Sequence, residues 1–377
     1  MKLFNNKLFL ILAIFSFLKP SGFDFYSFNT INAALNYARI FFALIIFAKY
    51  FQINPRFSKL LKSELAFFFC LFISTFINNS KLTDLAIFSI SVIAFTMLIE
   101  ICVRRKVGIF INALFINYFI IIVSNFILMY VTYGFKVNSV TTNDGRMSFL
   151  SSDNLTASYI FPALCTALLY ANYKGQKYNI LSIILYVFLI LTVVMLWSAT
   201  SLVGIIILLV YIFFIYENSL ERFIKYKWLL SVSVALIIGF TFLDIPKYFS
   251  FIIVDLLKKD ITMTGRTYGW MKGINGFIEN PLFGAGYNAT TIDNGVIQIL
   301  YCGGIVSMIF LYIMYMTGTK RFFSIEKLGS LDKFFSVSLL IILIMSISES
   351  WFHFFGFYVI LGLANKSQYL VPLRRSR

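Results

Sequence analysis

Twelve runs of apolar residues, each bounded by charge or turn residues, divide this chain: about 3–18, 31–48, 60–77, 82–101, 108–132, 155–173, 179–197, 202–215, 228–243, 295–316, 334–351 and 354–371. A helix crossing a bilayer needs roughly 20 predominantly apolar residues, and in hydrocarbon its backbone must satisfy its own hydrogen bonds. The pattern therefore predicts an all-α polytopic membrane protein with about twelve transmembrane helices, one integral membrane domain over residues 1–377. Composition supports this, since 13% of the residues are charged where a soluble domain carries about 25%. A soluble enzyme is excluded. The run Lys7 to Leu18 has the length of a signal-peptide core, yet no small-x-small cleavage site follows and Lys19-Pro20 comes next. It reads as a retained first span.

The net charge of +16 is mostly a topology signal. With twelve spans both termini lie on one side, and that side collects 22 Lys and Arg against 9 opposite, Arg39 falling inside a span. The positive-inside rule then places both termini in the cytoplasm and gives no reason to expect nucleic acid as a partner. Cys70, Cys102, Cys165 and Cys302 lie in or beside apolar runs without C-x-x-C spacing, and His353 is the single histidine. The cysteines read as packing residues, and no metal site is expected. No P-loop and no G-x-G-x-x-G after a strand occurs, so no nucleotide cofactor is expected either.

Two loops on the opposite, exoplasmic side are long: 133–154 and 244–294. Residues 245–259 carry Tyr248, Phe251, Ile252, Leu256 and Lys259, the pattern of a helix lying in the interface. A second helix is signalled after Thr264, its N-cap, with Trp270, Ile274, Phe277 and Ile278 on one face and Asn280-Pro281 as a stop. That puts Arg266 in a first turn, where a cation opposes the helix dipole. Either an anionic partner holds it there, or it is a solvated arginine.

The order of motifs along these loops carries a resemblance. Gly145-Arg146 and Ser152-Asp153-Asn154-Leu155-Thr156-Ala157 are followed by Ser198-Ala199-Thr200-Ser201. Then come Gly265-Arg266, Trp270, Asn280-Pro281-Leu282-Phe283-Gly284-Ala285-Gly286, Asp293-Asn294, and an aliphatic stretch with Gly303-Gly304. Over roughly residues 140–310 this resembles the O-antigen polymerase and O-antigen ligase superfamily. The chain departs from that pattern in lacking a proline after Asp153 and an arginine beside Ser198. The resemblance implies a GT-C-like helical bundle, with undecaprenyl-pyrophosphate-linked oligosaccharide as both donor and acceptor, membrane lipid around it, and a chain-length regulator and flippase as pathway partners.

Under that resemblance Arg146 and Arg266 are expected to hold the diphosphate, because a guanidinium forks onto phosphate oxygens and stabilises a diphosphate leaving group. Arg39 lies about 12 Å into the membrane, counting from Ile31 at 1.5 Å per residue. It reads either as a third cation for the diphosphate or as the partner of Glu349 in a structural ion pair. Asp293 stands where the ligase branch places a histidine and is a candidate general base, its alternative being a helix N-cap. Glu349 is the other candidate base; read as helical, it shares a face with His353 at i, i+4. Asp153, Asn154, Asn294 and His353 are candidate substrate contacts, with capping as the alternative for Asp153 and Asn154. Asn280-Pro281 and Gly284-x-Gly286 read as backbone devices, and Gly269 with Gly273 as a packing pair.

Two classes of function follow. The first is an enzyme: a repeat-unit polymerase resembling the Wzy branch, or an O-antigen ligase with lipid A core as acceptor. The second is a lipid-linked oligosaccharide flippase, which fits less well because intramembrane charges are few and one outer loop runs to about fifty residues.

Overall fold

A computed structural model describes residues 3–25, 29–54, 56–134, 148–150, 155–176, 179–211, 226–242, 251, 266–287, 292–324 and 329–370. All regular structure among them is helical: α1 Lys7–Phe17, α2 Gly22–Phe25, α3 Asn29–Ile53, α4 Lys59–Ile77, α5 Leu82–Arg105, α6 Val107–Tyr133, α7 Ala157–Tyr173, α8 Ile180–Leu196, α9 Ala199–Val210, α10 Tyr226–Phe242, α11 Arg266–Glu279, α12 Gly295–Ser324, α13 Ser330–Met345, α14 Phe355–Asn365 and α15 Ser367–Leu370. Each of the twelve apolar runs overlaps a helix. Five of these (α3, α4, α5, α6 and α12) are long and apolar enough to cross a membrane. The chain is a polytopic helical membrane protein, with five of the expected twelve spans established by length and composition.

Local chemistry starts the helices. The side-chain oxygens of Asn6, Ser58, Asn179 and Ser198 accept from backbone N–H groups in the first turns of α1, α4, α8 and α9, satisfying donors that no helix can satisfy internally. The outer surface is apolar: Tyr37, Phe41 and Leu44 of α3 and Ile180 and Ile190 of α8 are exposed, as lipid-facing positions should be. The centre belongs to α14, whose residues Gly356 to Ala364 are all buried against α5, α7, α12 and α13.

The most extensive helix pairing joins α4 to α12, and it depends on a break in α12. Gly304 there has φ 63° and ψ −168°, a conformation open to glycine alone. The break exposes backbone groups, which pair with the incoming segment 281–286. Ala285 N donates to Tyr301 O (2.7 Å), Gly286 N to Cys302 O (2.9 Å) and Ile305 N to Pro281 O (2.9 Å). Gly284 (φ +67°) lies so close that a Cβ would overlap the Tyr301 carbonyl. The Asn-Pro-Leu-x-Gly-x-Gly segment and the Gly pair are thus two halves of one backbone joint.

Candidate active site

Arg266, Asp293 and Glu349, distant in sequence, form one charge cluster. The Arg266 Nη2 donates to Glu349 Oε1 at 2.7 Å, and its Nε lies 3.3 Å from Asp293 Oδ2. Exposure is graded across the three side chains: 53% for Asp293, 13% for Arg266 and 2% for Glu349. Arg266 is the first residue of α11, where the helix dipole opposes a cation; two carboxylates offset that cost.

Secondary structure positions each member. One turn after Arg266, Trp270 is buried and its Nε1 donates to the backbone oxygen of Asp293 at 3.0 Å, so α11 fixes both the cation and the peptide of its exposed partner. The next residue, Asn294, is wholly buried. Its Oδ1 caps α12 by accepting from Ile297 N (3.0 Å), while Nδ2 donates to Thr241 Oγ1 and Ile347 O, both at 3.1 Å. Gly295 N donates to Ser346 O at 2.7 Å. The start of α12 is therefore stitched to the segment after α13, which brings Asp293 to Glu349. From a third direction Thr200, in the first turn of α9, meets Ser348 across 3.4 Å.

Several expectations need correcting. Asp293 is not the cap of α12; Asn294 is, and its amide is spent on that structural task. Glu349 and His353 do not share a helix face, because α13 ends at Met345 and the chain passes through Glu349 into a 3-10 turn, Trp351–His353. Glu349 pairs with Arg266. Arg39, its expected partner, donates from Nε to Ser16 O (2.6 Å) and from Nη2 to Phe17 O (3.3 Å) at the end of α1. On α11, Ile278 is exposed while Trp270 faces inward. Gly273 packs against Ile292 and Ile297, whereas Gly269 meets nothing among the described residues, so the two do not pack together there. Arg146, Asp153, Asn154, Thr264 and the stretch 245–259, apart from Phe251, lie outside the described residues.

His353 stacks on Tyr287, ring centroids 5.1 Å apart and 27° between planes. Its Nε2 is buried and meets no hydrogen-bond partner among the described residues. Burial pushes its imidazole down to about 4, so the ring is neutral at pH 7. Tyr287 is tied in turn to α4 through its backbone N and Thr75 Oγ1 (3.1 Å). Asn78 Nδ2 donates to Gly284 O (2.9 Å) and Ser80 Oγ to Ala285 O (3.1 Å). These anchors were missed at the sequence level. Their signal is the polar cluster Ser74-Thr75 and Asn78-Asn79-Ser80 closing an otherwise apolar run.

Among the described residues the arrangement offers one guanidinium, reachable from the surface beside Asp293 and backed by a buried carboxylate. Such a centre can grip an oxyanion by its fork and take up a proton on a carboxylate. The sequence around it adds a likeness. Residues 184–312 match the family model Wzy_C, described as O-Antigen ligase. The O-antigen ligase match runs from within α8 to within α12 and holds Arg266 and Asp293; Glu349 and His353 lie beyond it. Enzymes of this family, polymerases as well as ligases, transfer lipid-linked glycans. No curated protein and no solved structure matches the chain.

Proposed function

We propose that this protein is a glycosyltransferase that polymerises undecaprenyl-pyrophosphate-linked repeat units, moving the growing glycan onto a new lipid-linked unit. The observation that carries the reading is the Arg266 guanidinium held between Asp293 and Glu349 in a chain similar to O-antigen ligases over residues 184–312. In the transfer an acceptor hydroxyl oxygen bonds to the anomeric carbon while the bond from that carbon to the phosphate oxygen breaks. The electron pair leaves with undecaprenyl diphosphate, whose growing charge Arg266 stabilises. The hydroxyl proton passes to a carboxylate of the cluster. The step needs no metal or nucleotide. The excess of Lys and Arg on the terminus-bearing side supports a periplasmic site with both termini in the cytoplasm.

Ligation to lipid A core is the second reading, favoured by the description of the matching family. Against it stands Asp293, a carboxylate where the ligase branch has a histidine. Purified protein given synthetic lipid-linked repeat units and no other acceptor should produce a ladder of lengthened lipid-linked glycan. Transfer to lipid A core alone, with no lengthening, would assign the protein to the ligases.

A further inference from the structure

The two carboxylates on Arg266 are unlike in burial, hold and backbone support, and this separates their roles. Resting on the glycosyl-transfer reading above, we propose that Glu349 is a positioning residue that keeps Arg266 in place throughout, while Asp293 is the exchangeable partner that a diphosphate displaces from Arg266 and that then accepts the hydroxyl proton.

Glu349 is 2% exposed and takes the shorter bond, 2.7 Å from Nη2. Separating so deeply buried a carboxylate from the guanidinium costs more than separating an exposed one. Its surroundings also favour a fixed anion. The residues just before it meet two helix N-termini: Gly295 N, the first of α12, bonds Ser346 O, and Thr200, in the first turn of α9, meets Ser348. The positive ends of both helix dipoles thus border the segment that carries Glu349.

Asp293 is half exposed and 3.3 Å from Nε. An exposed pair of this kind contributes little, since water and salt compete for both partners. An incoming anion therefore gains the Nε side of the guanidinium at small cost. Trp270 holds the Asp293 peptide through its backbone oxygen, so on exchange the carboxylate stays beside the bound diphosphate rather than drifting off. Released from Arg266, its oxygen is open to a hydrogen bond from the acceptor hydroxyl. Occupation of the anion site and availability of the base then become one event. Glu349, buried and bound through Oε1 to Nη2, has the task of holding the guanidinium.

The test uses full-length protein in nanodiscs, with inorganic pyrophosphate as the binding probe and synthetic lipid-linked repeat units for turnover. Asp293→Asn should bind pyrophosphate as tightly as wild type or a few-fold tighter, with kcat lower by a factor on the order of 10². Glu349→Gln should weaken pyrophosphate binding and raise donor KM by about tenfold or more, while its residual kcat keeps the acid limb of the wild-type pH profile. Should Glu349→Gln fold poorly, Glu349→Asp, which draws the carboxylate back by one methylene, should show the same KM effect. Glu349→Gln with wild-type or tighter binding and a lost acid limb, or Asp293→Asn with tenfold weaker binding, would overturn the assignment. If Arg266→Ala removes pyrophosphate binding but the two carboxylate variants reverse, only the assignment fails. Wild-type protein that neither binds pyrophosphate nor lengthens glycan removes the enzymatic reading with it.

Discussion

Among the described residues, two clusters of charge are built into this apolar bundle, and they are made differently. In the first, Arg266 sits between Asp293 and Glu349, and exposure falls steadily from the outer carboxylate to the inner one. In the second, Glu100 near the end of α5 pairs with Lys366 (3.0 Å) and accepts from Tyr50 OH (2.8 Å). Nearby on α4, Glu64 is wholly buried and accepts from Thr96 Oγ1 at 2.9 Å. The chain after α14 is drawn into the same region: Lys366 takes Glu100, and Ser367 donates to Asp332, which also pairs with Arg321. The carboxylates of this second cluster are almost wholly enclosed, and their donors come from helices packed on every side. It serves as a lock that fixes α3, α5 and the final turn to one another. The first cluster has one open side. The contrast teaches that a charge in an apolar bundle becomes available to a ligand when one partner is left at the surface, where giving it up costs little.

The largest effect should separate the clusters by function. Arg266→Ala is expected to cut glycan transfer by about 10³-fold, as loss of a charge-stabilising donor does, and Arg266→Lys should restore little of it because the fork is lost. Turnover measured against the amount of folded protein checks this. Activity near wild type in Arg266→Ala would erase the distinction drawn here.

Next in size is the lock. Glu100→Ala leaves Lys366 and Tyr50 without their acceptor and should cost about 3 kcal/mol of stability, read as a lower midpoint of unfolding in detergent. Turnover per folded molecule should be unchanged. A fall in turnover with no loss of stability would make the second cluster functional rather than structural.

The smallest effect sharpens the boundary of the first cluster. His353 is held neutral at about 4, below its usual value of 6.5, so in the folded protein it binds a proton less readily than in the unfolded chain. Between those values the unfolded state takes up more protons, and stability falls as pH falls. Lowering pH from 7 to 4.5 should therefore cost about 2 kcal/mol through this residue, a component that His353→Phe removes while keeping a ring on Tyr287. An identical pH dependence in the variant would show that His353 plays no part in it.

Much of this was legible beforehand. The place of Arg266 in a helix's first turn leaves an anionic partner or solvation as the two choices, because the dipole argument needs only the start of the helix. The identity of that anion was not legible. From the sequence, Arg39 and His353 are both candidate partners of Glu349, since a helix continued past Met345 puts Glu349 and His353 on one face. The early end of α13 turned Glu349 elsewhere. Asp293 and Asn294 posed a similar choice, as both are good caps; the path of the chain into α12 gave the cap to Asn294 and left the carboxylate for Arg266.

What the sequence alone determined was the bundle: apolar runs in this number and length have no soluble solution, and their backbones must close into helices. Gly284 likewise marked a close approach of two backbones, whereas the matching break at Gly304 came only with the structure. The tertiary structure alone decided which charges meet. Propensity and hydropathy act over a few residues, whereas Arg266 and Glu349 lie 83 residues apart. Their meeting depends on the stitching of α12 to the end of α13 by Asn294 and Gly295, and no local pattern in the sequence encodes that join.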